Sequence, residues 1–327
     1  MSRYRQLDLF SKASPQEGEV ESADPPADVV ELASRVPSGV RLGTSSWSFP
    51  GWKGLVYRNA APRAALAREG LGAYARHPLL RTVGLDRTFY APIPAEEYAR
   101  YAAAVPERFR FLVKAAQDCT FPTLSRKDQG TTPSRNPRFL DASFASEAVV
   151  GPAVEGLGRR LGTLLFQFPP LGDTELGDVP ALVARLARFL RNLQKGPLYS
   201  VEIRNRSLLT PAYTEALSSA GAAHAFTVHP SMPSLETQAA VVGLERQPAL
   251  VVRWMLGHGR GYEEARERYD PFDRLAAPDP PSRAAIASLA RASLRLGREV
   301  LVVVNNKAEG SAPLSVVELA RELSGRA

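Results

Sequence analysis

LGTLLFQFPPLGDTELGDVPALVARLARFLRNLQKGPLYSVEIR, residues 161–204, holds one complete repeat of the pattern that organises this chain of 327 residues. Leu161–Phe166 is a short apolar run closed by the polar Gln167 and then by Pro169 and Pro170. Runs of that length between turn-forming residues read as buried strands. Pro180–Asn192 places Leu182, Val183, Leu186, Phe189 and Leu190 on one helical face, with Leu193 just beyond. A second run, Leu198–Val201, ends on Glu202 and Arg204. Strand, helix, strand is the unit of a parallel sheet, because parallel neighbours need a crossover connection.

The pattern recurs in both directions. Val40–Gly43, Thr82–Leu85, Phe109–Val113, Ala222–Val228, Ala249–Val252 and Val300–Val304 bring the apolar runs to eight. Helix-like stretches separate most of them, including Ser282–Leu296, opened by Pro281, and a closing Val316–Leu323. Eight alternating units predict an α/β fold, a TIM-like (β/α)8 barrel. In such barrels the carboxyl ends of the strands build the active site. Here those ends carry Thr44 and Ser45, Asp86 and Thr88, Lys114, Gln167, Glu202 and Arg204, His229, Arg253, and Asn305, Asn306 and Lys307. The polar tips are therefore expected to converge.

Lysine and arginine total 41 against 34 acidic residues, a formal net charge of +7. That balance favours anionic partners. Cys119 is the only cysteine, which excludes an internal disulfide and a thiolate metal centre. No apolar stretch approaches the roughly 20 residues that span a bilayer. The polar, acidic amino terminus lacks the apolar core of a signal peptide, so a cytoplasmic location is expected, with no membrane partner.

Residues 1–38 read as a flexible tail and residues 39–327 as the barrel domain. Ser11–Asp28 is rich in Pro, Glu, Ser and Ala and poor in large apolar residues, a composition that cannot offset the entropy of ordering. Two connections are long. One runs from Lys114 to about Gly158 and holds Arg126, Lys127 and Arg135; the other follows Trp254 and includes Gly257-His258-Gly259-Arg260-Gly261-Tyr262. Long loops in compact domains are commonly functional.

Six ordered blocks carry a family resemblance. They are Gly43-Thr44-Ser45-Ser46-Trp47-Ser48-Phe49-Pro50-Gly51-Trp52-Lys53-Gly54, Thr88-Phe89-Tyr90, Phe111-Leu112-Val113-Lys114-Ala115, Phe166-Gln167-Phe168-Pro169-Pro170, Glu202-Ile203-Arg204 and Asn305-Asn306. Over residues 40 to about 323 the chain resembles the YecE-like family, also called domain of unknown function 72. The resemblance implies a TIM-like barrel with a pocket, and no particular reaction. Two positions depart from the family pattern. Val83-Gly84-Leu85-Asp86 stands where Val-Glu-Ile-Asn is usual, and Lys307 stands where His or Asp is common.

Lys114, Arg204 and Arg253 at strand ends, with Lys307 just past the eighth run, put more positive charge near one axis than Glu202 and Asp86 can neutralise. That surplus points to an anionic ligand held by arginine clamps. The competing reading is an internal ion-pair network of Lys114, Glu202, Arg204 and Asp86. Glu202 lies two residues before Arg204 and on the same face; it is a general base or it orients Arg204. Asp86 is the other proton-moving candidate. Lys114 is an anion-binding group, or a nucleophile if desolvated beside other cations. Ser45, Gln167, Thr88, Asn305 and Asn306 are expected to orient a substrate, and Trp47 and Tyr90 to stack on it. His77, His224, His229 and His258 lack paired ligand spacing. Mg²⁺ held by Asp86, Glu202 and water is the one metal arrangement these residues leave open.

Gln6-Leu7-Asp8-Leu9-Phe10 resembles the pentapeptide with which bacterial replication and repair proteins dock on the DNA sliding clamp. Leu7, Leu9 and Phe10 would be apolar anchors and Gln6 an amide donor. The resulting expectation is an enzyme acting on an anionic, phosphate-bearing substrate, nucleic acid included. It would be a nuclease- or phosphoesterase-like hydrolase linked to DNA repair or processing through its tail. The alternative is a non-catalytic anion- or DNA-binding accessory module.

Overall fold

Each of the eight apolar runs forms a strand. The computed structural model describes residues 20–124, 134–257 and 261–325. The barrel strands are β1 (Val40–Thr44), β2 (Leu80–Leu85), β3 (Arg110–Lys114), β4 (Leu161–Gln167), β5 (Tyr199–Glu202), β6 (Ala223–Val228), β7 (Leu250–Trp254) and β8 (Val300–Val304). They close into one barrel in the order β1-β8-β7-β6-β5-β4-β3-β2, and every neighbouring pair is parallel. Several strands run further toward the carboxyl end than their apolar runs do, so that Thr44, Lys114, Gln167, Glu202 and Arg253 lie within strands. Ladder hydrogen bonds use the backbone and are indifferent to a polar side chain.

Side chains alternate between two faces. Val83, Leu85, Phe111, Val113, Leu164, Phe166, Val201, Phe226, Val252, Val302 and Val304 belong to the large core between the barrel and its helices. Leu112, Leu165, Ala223, Ala225, Val251, Leu301 and Val303 form a separate cluster, the plug of the barrel interior. One further step of two along each strand from this plug reaches Lys114, Gln167, Thr227, Arg253 and Asn305. The alternation that fills the barrel thus delivers the polar tips to its carboxyl-end mouth.

The outer helices include α1 (Ala27–Arg35), α2 (Arg63–Arg76), α3 (Ala95–Ala103), α4 (Gly151–Leu157), α5 (Val179–Asn192), α6 (Pro211–Ala220), α7 (Leu235–Val242), α8 (Tyr262–Tyr269), α9 (Pro280–Arg295) and α10 (Ala312–Ser324). The expected apolar stripe of α5 buries Val183, Leu186, Phe189 and Leu190, and the Asp178 side chain caps its first turn through the Ala181 N–H. In the connection after β3, Thr123–Leu124 pairs antiparallel with Ser134–Arg135. Arg126 and Lys127 lie outside the described residues, as do His258, Gly259 and Arg260. No helix among the described residues is long and apolar enough to cross a membrane. Cys119 is fully buried, and burial pushes its thiol up to about 12.

Residues 20–38, expected within a flexible tail, are packed against the barrel, whereas residues 1–19 lie outside the described residues. Ser22 bridges Tyr57, and Ala23 N–H donates to Val56 O at 2.9 Å. Helix α1 then buries Val29, Leu32 and Ala33, with Val36 just after it. Spacings of three, four and seven make this a helical stripe. An average over a Pro- and Glu-rich window conceals so short an apolar face. Arg81, on β2, donates from Nη2 to Ala33 O at 2.8 Å and ties α1 to the barrel. Leu32 is 2% exposed, and Leu32→Ala is expected to cost about 2–5 kcal/mol; urea unfolding showing a loss below about 0.5 kcal/mol would place α1 outside the cooperative unit.

Candidate functional site

Glu202, the last residue of β5, has no exposed side-chain surface. A lone buried carboxylate would take up a proton, because desolvation penalises its charge. Two guanidinium groups prevent that. Arg253 of β7 donates from Nη1 to Glu202 Oε2 at 2.8 Å, and Arg204 pairs through Nη2 with Oε1. The Glu202 carbonyl accepts from Phe168 N–H at 2.8 Å, which fixes the backbone beneath the cluster. Burial works to raise the Glu202 pKa, but Arg204, Arg253 and Lys114 overcome it and hold the carboxyl down at about 2.

Arg253 reaches a second acid. Its Nη2 lies 3.7 Å from Oδ1 of Asp86, just past the end of β2. Side-chain exposure is 2% at Arg253, 9% at Arg204 and 40% at Asp86, so the cluster opens to solvent on the Asp86 side. Lys114 ends β3 between these groups and makes no ion pair among the described residues. Its Nζ sits 3.6 Å from the centroid of the Phe89 ring. Burial drives the lysine pKa down to about 8; Arg253 and Arg204 push the same way, while Asp86 and Glu202 oppose them. Lys114, Glu202, Arg204, Arg253 and Asp86 therefore form one electrostatic unit of three cations and two carboxylates.

Other expected residues divide into two groups. Ser45 and Asn305 meet across the β1–β8 seam, where Asn305 Nδ2 donates to Ser45 Oγ at 3.0 Å. Gln167 ends β4 and its amide donates to Phe168 O at 2.8 Å. Lys307 places its Nζ 4.1 Å from the centroid of the Tyr262 ring, and Tyr90 is 64% exposed beside Phe89. The remainder serve the scaffold. Trp47 is buried and its indole N–H donates to Leu66 O at 2.9 Å, so it does not present a stacking face to the mouth. Asn306 Oδ1 accepts from Ala312 N–H at 2.8 Å and secures the start of α10. Thr88 Oγ1 bonds the carbonyls of Leu85 and Lys114, joining the ends of β2 and β3. Phe89, given no site role from sequence, touches the Lys114 ammonium; adjacency to Thr88 and Tyr90 is the only sequence signal of its place.

The described histidines, His77, His224 and His229, sit in the scaffold. Burial holds His77 and His224 at about 4. His224 lies between Tyr213 Oη, 2.9 Å from Nδ1, and Gln238 Oε1, 3.1 Å from Nε2. His229 Nδ1 is 2.8 Å from Ser231 Oγ, and His258 lies outside the described residues. Among the described residues no group of three or more His, Cys, Asp or Glu side chains is placed to hold a metal ion. Mg²⁺ on Asp86 and Glu202 does not fit the donor set, because a guanidinium engages each Glu202 oxygen.

Residues 41–327 match the family model described as protein of unknown function DUF72. The chain belongs to the DUF72 family. A curated relative, UPF0759 protein YunF of Bacillus subtilis, is 29% identical over 154 residues, an alignment that spans 47% of this chain and 49% of that protein. Crystal structures of DUF72 proteins share the fold. The one from Thermotoga maritima gives a TM-score of 0.59 at 21% identity, covering 87% of this chain and 98% of that one. One from Enterococcus faecalis gives 0.57 at 20%, covering 88% and 96%.

Glu202→Gln leaves Arg204 and Arg253 without their shared counter-charge, and breaking a buried pair costs about 3–5 kcal/mol. A denaturation midpoint within error of the parent would show that the pair contributes nothing. The sign of the pH effect follows from the lowered pKa. The contribution of Glu202 is fully present above its ordinary value of 4.5 and is lost as pH falls through about 2.

Proposed function

We propose that the carboxyl-end mouth is an anion-binding active site, and that the protein is a hydrolase-type enzyme for a phosphate-bearing substrate. The carrying observation is the sharing of Glu202. One carboxylate serves two arginines, which leaves Lys114 without an ion-pair partner among the described residues. A substrate anion beside Lys114 and Arg204 supplies the missing negative charge. Arg204 Nε is buried and makes no hydrogen bond, so it retains a donor for such a group. The internal ion-pair network accounts for Glu202, Arg204, Arg253 and Asp86 but leaves Lys114 out.

The roles divide by acidity and exposure. Glu202, held at about 2, is too weak a base for proton transfer near neutrality and acts as a positioning residue for Arg204 and Arg253. Asp86 is the solvent-reached carboxylate and takes the proton of an attacking water. Lys114, near 8, stabilises charge and gives its own proton to the leaving oxygen as the P–O bond breaks; the proton held by Asp86 is then released to solvent and the amine takes one up, which resets both groups. Ser45, Asn305 and Gln167 orient the substrate.

Sulfate keeps its charge across the relevant pH range and is a suitable probe. Its affinity, measured by calorimetry, is expected to fall as pH rises through about 8. Lys114→Met should flatten that profile and weaken binding roughly tenfold or more. A pH-independent affinity equal in both proteins would overturn the assignment. Saturable binding of phosphate esters without turnover would favour the accessory-module reading.

A link to DNA repair rests on Gln6-Leu7-Asp8-Leu9-Phe10 alone, which lies outside the described residues. A peptide of this segment is expected to bind a bacterial sliding clamp and to lose binding when Leu9 and Phe10 become Ala. Absence of binding by the parent peptide removes the link.

A further inference from the structure

The opposite end of the barrel is also basic, although amino-end mouths normally serve stability alone. Arg41 is the second residue of β1 and Arg110 the first of β3. Arg160 immediately precedes β4, with Arg159 beside it. Strands β1, β2, β3 and β4 are consecutive around the barrel, so these side chains crowd one sector of the rim. Arg108, in the turn before β3, belongs to the same sector. A cavity of about 440 Å³ opens there, lined by Pro106, Glu107, Arg108, Arg110 and Arg159.

The local carboxylates do not balance this charge. Glu299 pairs with Arg41 at 3.0 Å but is itself 60% exposed. Arg110 Nη1 donates to the backbone carbonyls of Glu107 and Phe109, at 2.9 and 3.0 Å, and to no acid. Arg160 Nε is buried without a hydrogen-bond partner. The arginines also act on one another. Burial lowers the Arg110 pKa, and the charges of Arg41 and Arg160 lower it further, opposed by Glu299 and Glu107. Guanidinium groups do not lose their protons near neutrality. A bound anion would relieve their repulsion.

We propose that this amino-end mouth is a second anion site, lined by Arg108, Arg110 and Arg159, with the charges of Arg41 and Arg160 acting from beside it, for a small, multiply charged phosphate compound. Several planar forks around one concavity suit a ligand with more than one phosphate group, each able to accept bidentate bonds. A concavity of about 440 Å³ favours a small ligand over an extended nucleic-acid backbone. The apolar plug of Leu112, Leu165, Val251, Leu301 and Val303 separates this end from the Lys114–Glu202 cluster. The site is therefore independent of the proposed active site.

Tripolyphosphate binding to the full chain, measured by calorimetry at fixed ionic strength, tests the proposal. Arg110→Gln and the double variant Arg108→Gln/Arg159→Gln are each expected to weaken binding at least tenfold, while Lys114→Met leaves an amino-end event intact. The double variant changes exposed residues, so it carries the test if Arg110→Gln fails to fold. The proposal is overturned if the parent shows no saturable binding, or if only Lys114→Met removes it. It is likewise overturned if duplex DNA displaces tripolyphosphate through the same arginines, which would make a nucleic-acid backbone the occupant.

Discussion

Everything at the carboxyl-end mouth depends on one buried negative charge. Glu202 is ionised only because Arg204 and Arg253 face it, and those guanidinium groups tolerate burial only because Glu202 faces them. Removing either partner strands the other in a medium that solvates charge poorly. This mutual dependence also explains the behaviour of Lys114. Had Glu202 been free to pair with the lysine, the ammonium would have been stabilised. With both carboxylate oxygens already taken, burial dominates, and the lysine rests instead against the Phe89 ring. A cation over an aromatic face gains part of what an ion pair would supply, and it remains available to an incoming anion.

The two ends of the barrel illustrate different ways of carrying positive charge. At the carboxyl end Lys114 and Arg253 come from inward strand positions one step beyond the apolar plug, Arg204 follows just past β5, and the three are partly matched by Glu202 and Asp86. At the amino end, arginines from β1, β3 and the segment before β4 rely on backbone carbonyls and on one exposed carboxylate. The surplus arginine in the composition is therefore not spread evenly as a solubilising coat. Part of it is directed into two concave places, with aliphatic side chains between them.

Much of this was legible in sequence because side-chain alternation links what fills a barrel to what reaches its mouth. The eight apolar runs mark the strands, and the next polar residue in phase marks the site. Lys114, Glu202, Arg204, Arg253 and Asp86 are together for that reason. Partner choice was less legible. Trp47 and Asn306 stand beside site residues in sequence, yet the Trp47 indole N–H is committed to Leu66 O and the Asn306 Oδ1 to the Ala312 N–H. Neither partner is near in chain order in a way that a motif displays. Helix α1 was hidden because its four apolar contacts sit in a segment whose average composition suits a disordered tail. The amino-end arginines carry no comparable signal, because Arg41 and Arg110 stand at strand beginnings, where no apolar run leads up to them.

Arg253 pairs with Glu202 at the end of β5 and with Asp86 just past the end of β2. In the cyclic strand order, β7, β5 and β2 divide the circumference into arcs of two, three and three steps. The guanidinium thus acts as a tie-rod across the lumen, joining three nearly equidistant staves. Such a brace resists dilation of the rim, so its aperture is set during folding and not by whatever enters. On the proposed function, little reorganisation would remain to oppose association, and selectivity would fall to the fixed spacing of the surrounding donors.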